Sequence, residues 1–197
     1  MAKRLFDLAL STLALLLLSP LMVALALWVR LDSPGPSFFR QERVGRQGVP
    51  FRIHKFRTMH AQAAGLPLTV GTDPRITRAG AWLRRTRLDE LPQLFDVLRG
   101  RMSLVGPRPE VPRYVAHYPA PLRDRVLSVR PGITDPASLD FLDEAALLAK
   151  SADPEREYIE RILPRKLQLA ADYAAQASLA TDLRVLWRTL GVLLRQA

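Results

Sequence analysis

Apolar residues run without a charge from Leu8 to Val29, 22 positions bounded by Asp7 and Arg30. A bilayer core takes roughly 20 apolar residues in helical form, so the run predicts a membrane helix. Ser19-Pro20 interrupts it near the middle. Proline removes an amide donor and crowds the carbonyl four residues back, which predicts a kink, and the serine hydroxyl can satisfy a freed backbone group. After the loop Ser33-Pro34-Gly35-Pro36, apolar and basic residues alternate over Phe38 to Arg43 and Pro50 to Met59 around a Gly45 to Gly48 turn, the pattern of a short basic β-hairpin. Residues Leu66 to Thr77, with Pro67, Gly71, Asp73 and Pro74, read as an irregular connection. A helical stretch then runs from Arg78 to Thr86, with Thr77 as its N-cap.

The centre of the chain is crowded with proline at 107, 109, 112, 119, 121, 131 and 136, which excludes long regular helix or central strand and predicts rigid loops. From Pro154 the pattern becomes helical, with Tyr158, Ile159, Ile162, Leu163, Leu167 and Leu169 roughly on one side and a kink expected at Pro164. The last segment, Thr181 to Gln196, sets Leu183, Leu186, Trp187, Leu190, Leu193 and Leu194 against Arg184, Arg188 and Arg195. That amphipathic pattern fits either a helix lying in a membrane interface or one packed on the core with a solvated arginine face.

Charge leaves the first segment with three readings. Lys3 and Arg4 ahead of the run, and Ala24-Leu25-Ala26 within it, have the form of a secretory signal, although the run exceeds a usual signal core. A spanning helix and a helix that enters the bilayer and turns back are the other two. Arg30, Arg40, Arg43 and Arg46 follow the run as Lys3 and Arg4 precede it, so the positive-inside rule does not favour spanning and is satisfied with both ends on the cytoplasmic side. The 197 residues leave room for one domain besides this segment, and 29 Lys and Arg against 19 Asp and Glu give a net charge of +10, which favours an anionic partner. There is no cysteine, which removes disulfides, thiolate metal sites and cysteine nucleophiles.

Candidate chemistry centres on Arg84-Arg85-Thr86-Arg87-Leu88-Asp89-Glu90-Leu91-Pro92, two adjacent carboxylates behind three arginines. Pro92 is tolerated only in a first helical turn, which puts Asp89 and Glu90 at a helix start, where cations and the helix dipole favour their ionised forms. Such an aspartate can attack phosphorus or hold a divalent metal, or simply cap the helix. In Pro107-Arg108-Pro109 two prolines hold an arginine in a fixed frame suited to bidentate phosphate contact, or to a rigid surface turn. Lys55-Phe56-Arg57 and Arg130-Pro131-Gly132-Ile133-Thr134 add further cations. No Gly-x-Gly-x-x-Gly or P-loop motif occurs, and His54, His60 and His117 lack metal-site spacing. Aromatic residues total 7% with no stacking-platform or helix-turn-helix motif, which argues against nucleic acid.

Taken in order, Lys3-Arg4-Leu5-Phe6-Asp7, Ser19-Pro20, Ser33-Pro34-Gly35-Pro36 to Arg43, Pro50 to Met59, Leu88 to Leu94, Arg99 to Glu110 and Arg130 to Thr134 resemble the bacterial sugar transferase family, the small monotopic phosphoglycosyl transferases. The resemblance covers about Lys3 to Leu139. It implies an α+β, mainly helical fold with a re-entrant helix-break-helix anchor over 1–32, turned at Ser19 and Pro20. A catalytic domain over 33–197 would carry a basic hairpin, a loop-rich core and C-terminal amphipathic helices, monotopic on the cytoplasmic face of a bacterial inner membrane. It implies a two-step reaction in which Asp89 attacks the phosphate of a UDP-sugar, UMP leaves, and undecaprenyl phosphate takes the sugar phosphate from the aspartyl enzyme. Asp89 and Glu90 would hold Mg2+ jointly, with Lys55, Arg57, Arg84, Arg108, Glu110 and Arg130 as substrate contacts, anionic lipid beneath, and downstream glycosyltransferases as partners. Two departures stand out. Asp96 occupies a position where the family often has asparagine, and Asp135-Pro136-Ala137-Ser138 replaces the usual Gly-x-Ala after Arg-Pro-Gly-Ile-Thr.

Overall fold

The computed structural model describes residues 1–63 and 65–196. It is mainly helical, with a long apolar N-terminal helix and four short strands. Helix α1 (Ala2–Asp32) is followed by strands β1 (Phe38–Val44) and β2 (Pro50–Phe56) and by helix α2 (Arg78–Arg85). A 3-10 turn over Leu88–Gln93 leads into α3 (Leu94–Leu98), then β3 (Ser103–Val105), α4 (Pro112–Val115), α5 (Ala120–Leu127) and β4 (Gly132–Thr134). Helices α6 (Pro136–Asp140), α7 (Glu144–Leu148), α8 (Pro154–Glu157), α9 (Leu163–Ala175) and α10 (Leu179–Gln196) complete the chain.

Helix α1 runs through Pro20 as one element. Pro20 has no amide proton for the carbonyl of Leu16, four residues back, and the Ser19 hydroxyl donates to that carbonyl at 3.0 Å. Asp7, Ser11, Leu15, Met22, Leu25 and Val29 form its buried stripe, while Leu5, Leu13, Leu16, Leu17, Leu27 and Leu31 are exposed. Only 17% of its most apolar window is buried, so this is not the core helix of a globular protein, and it is long enough to cross a membrane.

Both ends of α1 are tied to the same domain. At the N-terminal end Lys3 pairs with Asp182, and Asp7 accepts from the Ser103 hydroxyl at 2.8 Å. At the C-terminal end the Arg57 guanidinium donates to the Val29 and Ser33 carbonyls at 3.2 and 2.7 Å, and Trp28 meets Trp82 of α2 edge to face.

Strands β1 and β2 pair antiparallel, Phe38 opposite Phe56 through Val44 opposite Pro50. Side chains two apart on a strand share a face. Phe51 and Ile53 are buried there, and Lys55, next in that alternation, is carried inward with them. The proline-rich centre is more helical than the loops expected for it. Proline occupies the first turn of α4, α5 and α6, where its missing amide would have lacked an intrahelical partner anyway. Around Pro164 the helical backbone runs unbroken from Pro154 to Ala175, and the irregularity falls just before the proline as a π-helical turn over Tyr158–Ile162.

Strands β3 and β4 pair in parallel and cross where Gly106 meets Gly132. A Cβ on Gly132 would lie 2.0 Å from the Gly106 nitrogen, so side chains are excluded from both positions. The crossing fixes the start of Pro107-Arg108-Pro109. Helix α10 presents three faces. Val185 and Asp182 are buried, Leu183, Trp187, Leu190 and Leu194 are exposed, and Arg184, Arg188 and Arg195 lie exposed on a third side. Core packing and an uncovered apolar stripe therefore coexist on one helix.

Candidate active site

The 3-10 turn after α2 begins at Arg87, a non-glycine residue held at φ 58°, which redirects the chain so that Asp89 and Glu90 point inward. Both are buried. Neither caps the turn, because no side chain there accepts a capping hydrogen bond. The capping alternative left open by the spacing is thereby removed.

The two carboxylates differ sharply. Glu90 is locked. Lys55 donates to its Oε1 at 2.8 Å and Arg108 donates to its Oε2 at 3.2 Å, with a second Arg108 contact to Oε1 completing a fork. Despite its burial, the guanidinium of Arg108 and the ammonium of Lys55 hold the Glu90 carboxyl well below the usual range, and Glu90 in turn raises Arg108. Asp89, by contrast, accepts no hydrogen bond among the described residues, and its nearest cation is Lys55 at 3.8 Å. Burial, with the like charge of Glu90, pushes the Asp89 pKa up against the pull of Lys55 and Arg84. Burial thus opposes the cations that favour the ionised form of Asp89, whereas at Glu90 the cations prevail.

Asp89 opens onto a polar cavity of about 450 Å³ whose walls include Arg43, Lys55, Arg84, Arg87, Arg108 and Glu110. Lys55, Arg84, Arg108 and Glu110 are therefore brought together with the carboxylate pair, as the sequence motifs suggest. Glu110 accepts from the Tyr158 hydroxyl at 2.6 Å and sits 3.6 Å from Arg43, so it orders the cavity's far wall. Arg57 and Arg130 are not part of this cavity. Arg57 is buried with its donors spent on Val29, Ser33 and Pro36, where it clamps the end of α1. Arg130 donates to the Gly100 carbonyl at 2.9 Å and lines a separate pocket beside Lys3 and Arg4. Neither lines the cavity expected for a substrate contact, because β2 ends at Phe56 and Arg57 turns to the end of α1, while Arg130 is held at the Gly100 carbonyl.

Three residues at the site were not among the substrate contacts expected from the sequence. Arg43 and Arg87 line the cavity, and Ser138 stands in its wall. The sequence carries three arginines just before Asp89, but which of them faces inward depends on the left-handed turn at Arg87. Asp96, fully buried, accepts from both the His54 amide at 2.9 Å and the His54 ring at 2.8 Å, bracing β2 behind Lys55.

A hard divalent cation is held by one or two carboxylates together with substrate phosphates rather than by an all-protein cage. Asp89 offers uncommitted oxygens and Glu90 lies beside it, while no group of three or more metal-ligating side chains occurs among the described residues. This donor set fits Mg2+ shared with a phosphate-bearing substrate.

Residues 1–196 match the family model described as bacterial sugar transferase. The chain is similar to a UDP-glucose:undecaprenyl-phosphate glucose-1-phosphate transferase of Escherichia coli K12, 42% identical over 165 residues, which cover 80% of this chain and 36% of that protein. A protein of the same name from Caulobacter vibrioides is 38% identical over 196 residues, 98% of this chain and 69% of the relative. A UDP-N-acetylgalactosamine-undecaprenyl-phosphate N-acetylgalactosaminephosphotransferase of Aeromonas hydrophila is 43% identical over 136 residues, 67% and 32% of the two chains. The chain spans about a third of the length of the E. coli and A. hydrophila proteins.

Proposed function

The chain belongs to the bacterial sugar transferase family, and from that footing we propose that it transfers a sugar 1-phosphate from a UDP-sugar to undecaprenyl phosphate, initiating glycan assembly. The observation that carries this reading is the asymmetry of the carboxylate pair, with Asp89 uncommitted at the head of a cation-lined cavity and Glu90 immobilised by Lys55 and Arg108. An Asp89 oxygen attacks the sugar-bearing phosphorus, the bond from that phosphorus to the bridging oxygen breaks, and UMP departs with the electron pair. An oxygen of the lipid phosphate then attacks the same phosphorus, the aspartyl bond breaks, and Asp89 is regenerated. Two displacements replace one. Lys55, Arg84 and Arg108 stabilise charge on the phosphoryl oxygens, and Glu90 holds Lys55 and Arg108 in place for that work. Mg2+, held by Asp89 and Glu90 with the diphosphate, would act as Lewis acid and template.

The anchor reading follows the same way. Two tethered ends of α1 on one domain, with an exposed leucine face between them, support a re-entrant, monotopic attachment with the 33–197 domain on the cytoplasmic face. The uncovered stripe of α10 would lie in the same interface. UMP release from a panel of UDP-sugars, with undecaprenyl phosphate and Mg2+, tests the function. The expected outcome is turnover of one or a few sugars, a sugar phosphate bound covalently to the protein when lipid is withheld, and loss of both in Asp89→Asn. Turnover that survives Asp89→Asn would overturn the nucleophile assignment.

A further inference from the structure

Behind the carboxylate pair lies a second cavity, about 260 Å³, closed mainly by apolar side chains that include Leu91, Ile133, Leu139, Leu186 and Leu193. It shares a wall with the polar cavity, formed by Arg87, Glu90, Arg108, Ser138 and Leu142. Two features of that wall remain unused. The Ser138 hydroxyl is buried with no hydrogen-bond partner among the described residues, although its own amide is fixed by Asp135 at 2.8 Å. Arg87 is held in a left-handed backbone conformation, a costly state for arginine, and its guanidinium makes no hydrogen bond among the described residues. An uncommitted guanidinium in the wall between a polar and an apolar chamber suits an anionic head with an apolar tail.

We propose that this apolar cavity is the acceptor subsite, taking the first isoprene units of the lipid phosphate while Arg87 holds its phosphate at the shared wall. The proposal rests on the transferase reading above and adds where each substrate binds, donor in the polar chamber and acceptor in the apolar one, on two sides of Glu90 and Arg108. Helix α10 supports the lipid as occupant. It lines the cavity with Leu186, Val192 and Leu193 and turns Leu183, Trp187 and Leu194 outward, so it stands as a partition between the site and whatever apolar medium covers its outer stripe. The volume falls below the usual range for sites that enclose a whole ligand, about 300–1,000 Å³, so the remainder of a long polyprenol stays outside.

The test separates the two half-reactions. Exchange of labelled UMP into the UDP-sugar without lipid reads the donor step, and lipid-linked product reads the acceptor step. Filling the cavity with Leu139→Trp or, as an independent variant, Leu193→Trp should leave exchange near wild type and cut lipid product about tenfold or more, with the loss in KM for the lipid. Arg87→Gln should raise KM for the lipid phosphate more than for the UDP-sugar. The same losses should persist with a three-isoprene prenyl phosphate, because the contacts lie near the phosphate. Equal slowing of exchange and product by both tryptophan variants, or unchanged product in both, overturns the subsite. Absence of exchange in the wild-type protein would instead strike the covalent reading itself, which the Asp89→Asn comparison identifies separately.

Discussion

Two isosteric changes, Asp89→Asn and Glu90→Gln, should act on stability in opposite directions. Glu90 accepts from Lys55 at 2.8 Å and from Arg108 in a fork, so its neutral amide leaves two enclosed cations without their counter-ion. Removing one partner of such a buried set costs about 3–5 kcal/mol. Asp89→Asn loses no accepted hydrogen bond. Its attraction to Lys55 across 3.8 Å is on the order of 4 kcal/mol at an effective dielectric of 20, yet burial outweighs it, since the Asp89 pKa is raised. The variant should be between about 0 and 2 kcal/mol more stable at pH 7, as expected where a site is held charged for activity. The pH dependence follows from the signs. Asp89, raised in the folded state, favours the fold below its unfolded pKa, and that contribution is lost as pH rises through its folded value. Glu90, lowered, contributes above its unfolded pKa and is lost as pH falls through its folded value. The gain from Asp89→Asn should therefore shrink toward acid, as should the cost of Glu90→Gln. Reversible urea unfolding in detergent micelles at pH 7 and pH 4, followed by circular dichroism, measures both. Equal costs for the two variants at pH 7 would refute the asymmetry on which the catalytic assignment stands.

Ser19 and Pro20 should be coupled through the Leu16 carbonyl. Ser19→Ala leaves that carbonyl unsatisfied and costs about 1 kcal/mol or more, but in a Pro20→Ala background a restored amide takes its place and the serine change becomes nearly neutral, a double-mutant cycle readable by thermal unfolding in nanodiscs. Arg57→Met should destabilise by about 3 kcal/mol, through the carbonyls of Val29, Ser33 and Pro36, while the folded fraction keeps its KM for UDP-sugar. Gly132→Ala should disrupt the β3–β4 crossing and with it the Arg108 fork, costing about 3 kcal/mol and most of the activity, checked by urea unfolding and UMP release.

The local pattern determined much of this protein. The long apolar run specifies α1, the alternation around Gly45–Gly48 the paired strands, and Thr77 the start of α2, where its hydroxyl accepts from the Gly80 amide at 3.0 Å. Each depends only on neighbours within a few residues. The order of motifs likewise marked Asp89, Glu90, Lys55 and Arg108 as chemistry-bearing. The tertiary structure decided which cations reach the carboxylates. Lys55 and Arg57 share a strand parity and would point alike, but β2 ends at Phe56, and Arg57 turns instead to the carbonyls at the end of α1. Adjacent acids that look equivalent in sequence became opposites because their surroundings come from β2 and the Pro107–Pro109 segment, brought together by the Gly106–Gly132 crossing. Burial and distance between segments remote in sequence set those charges, and no periodicity along the chain encodes them.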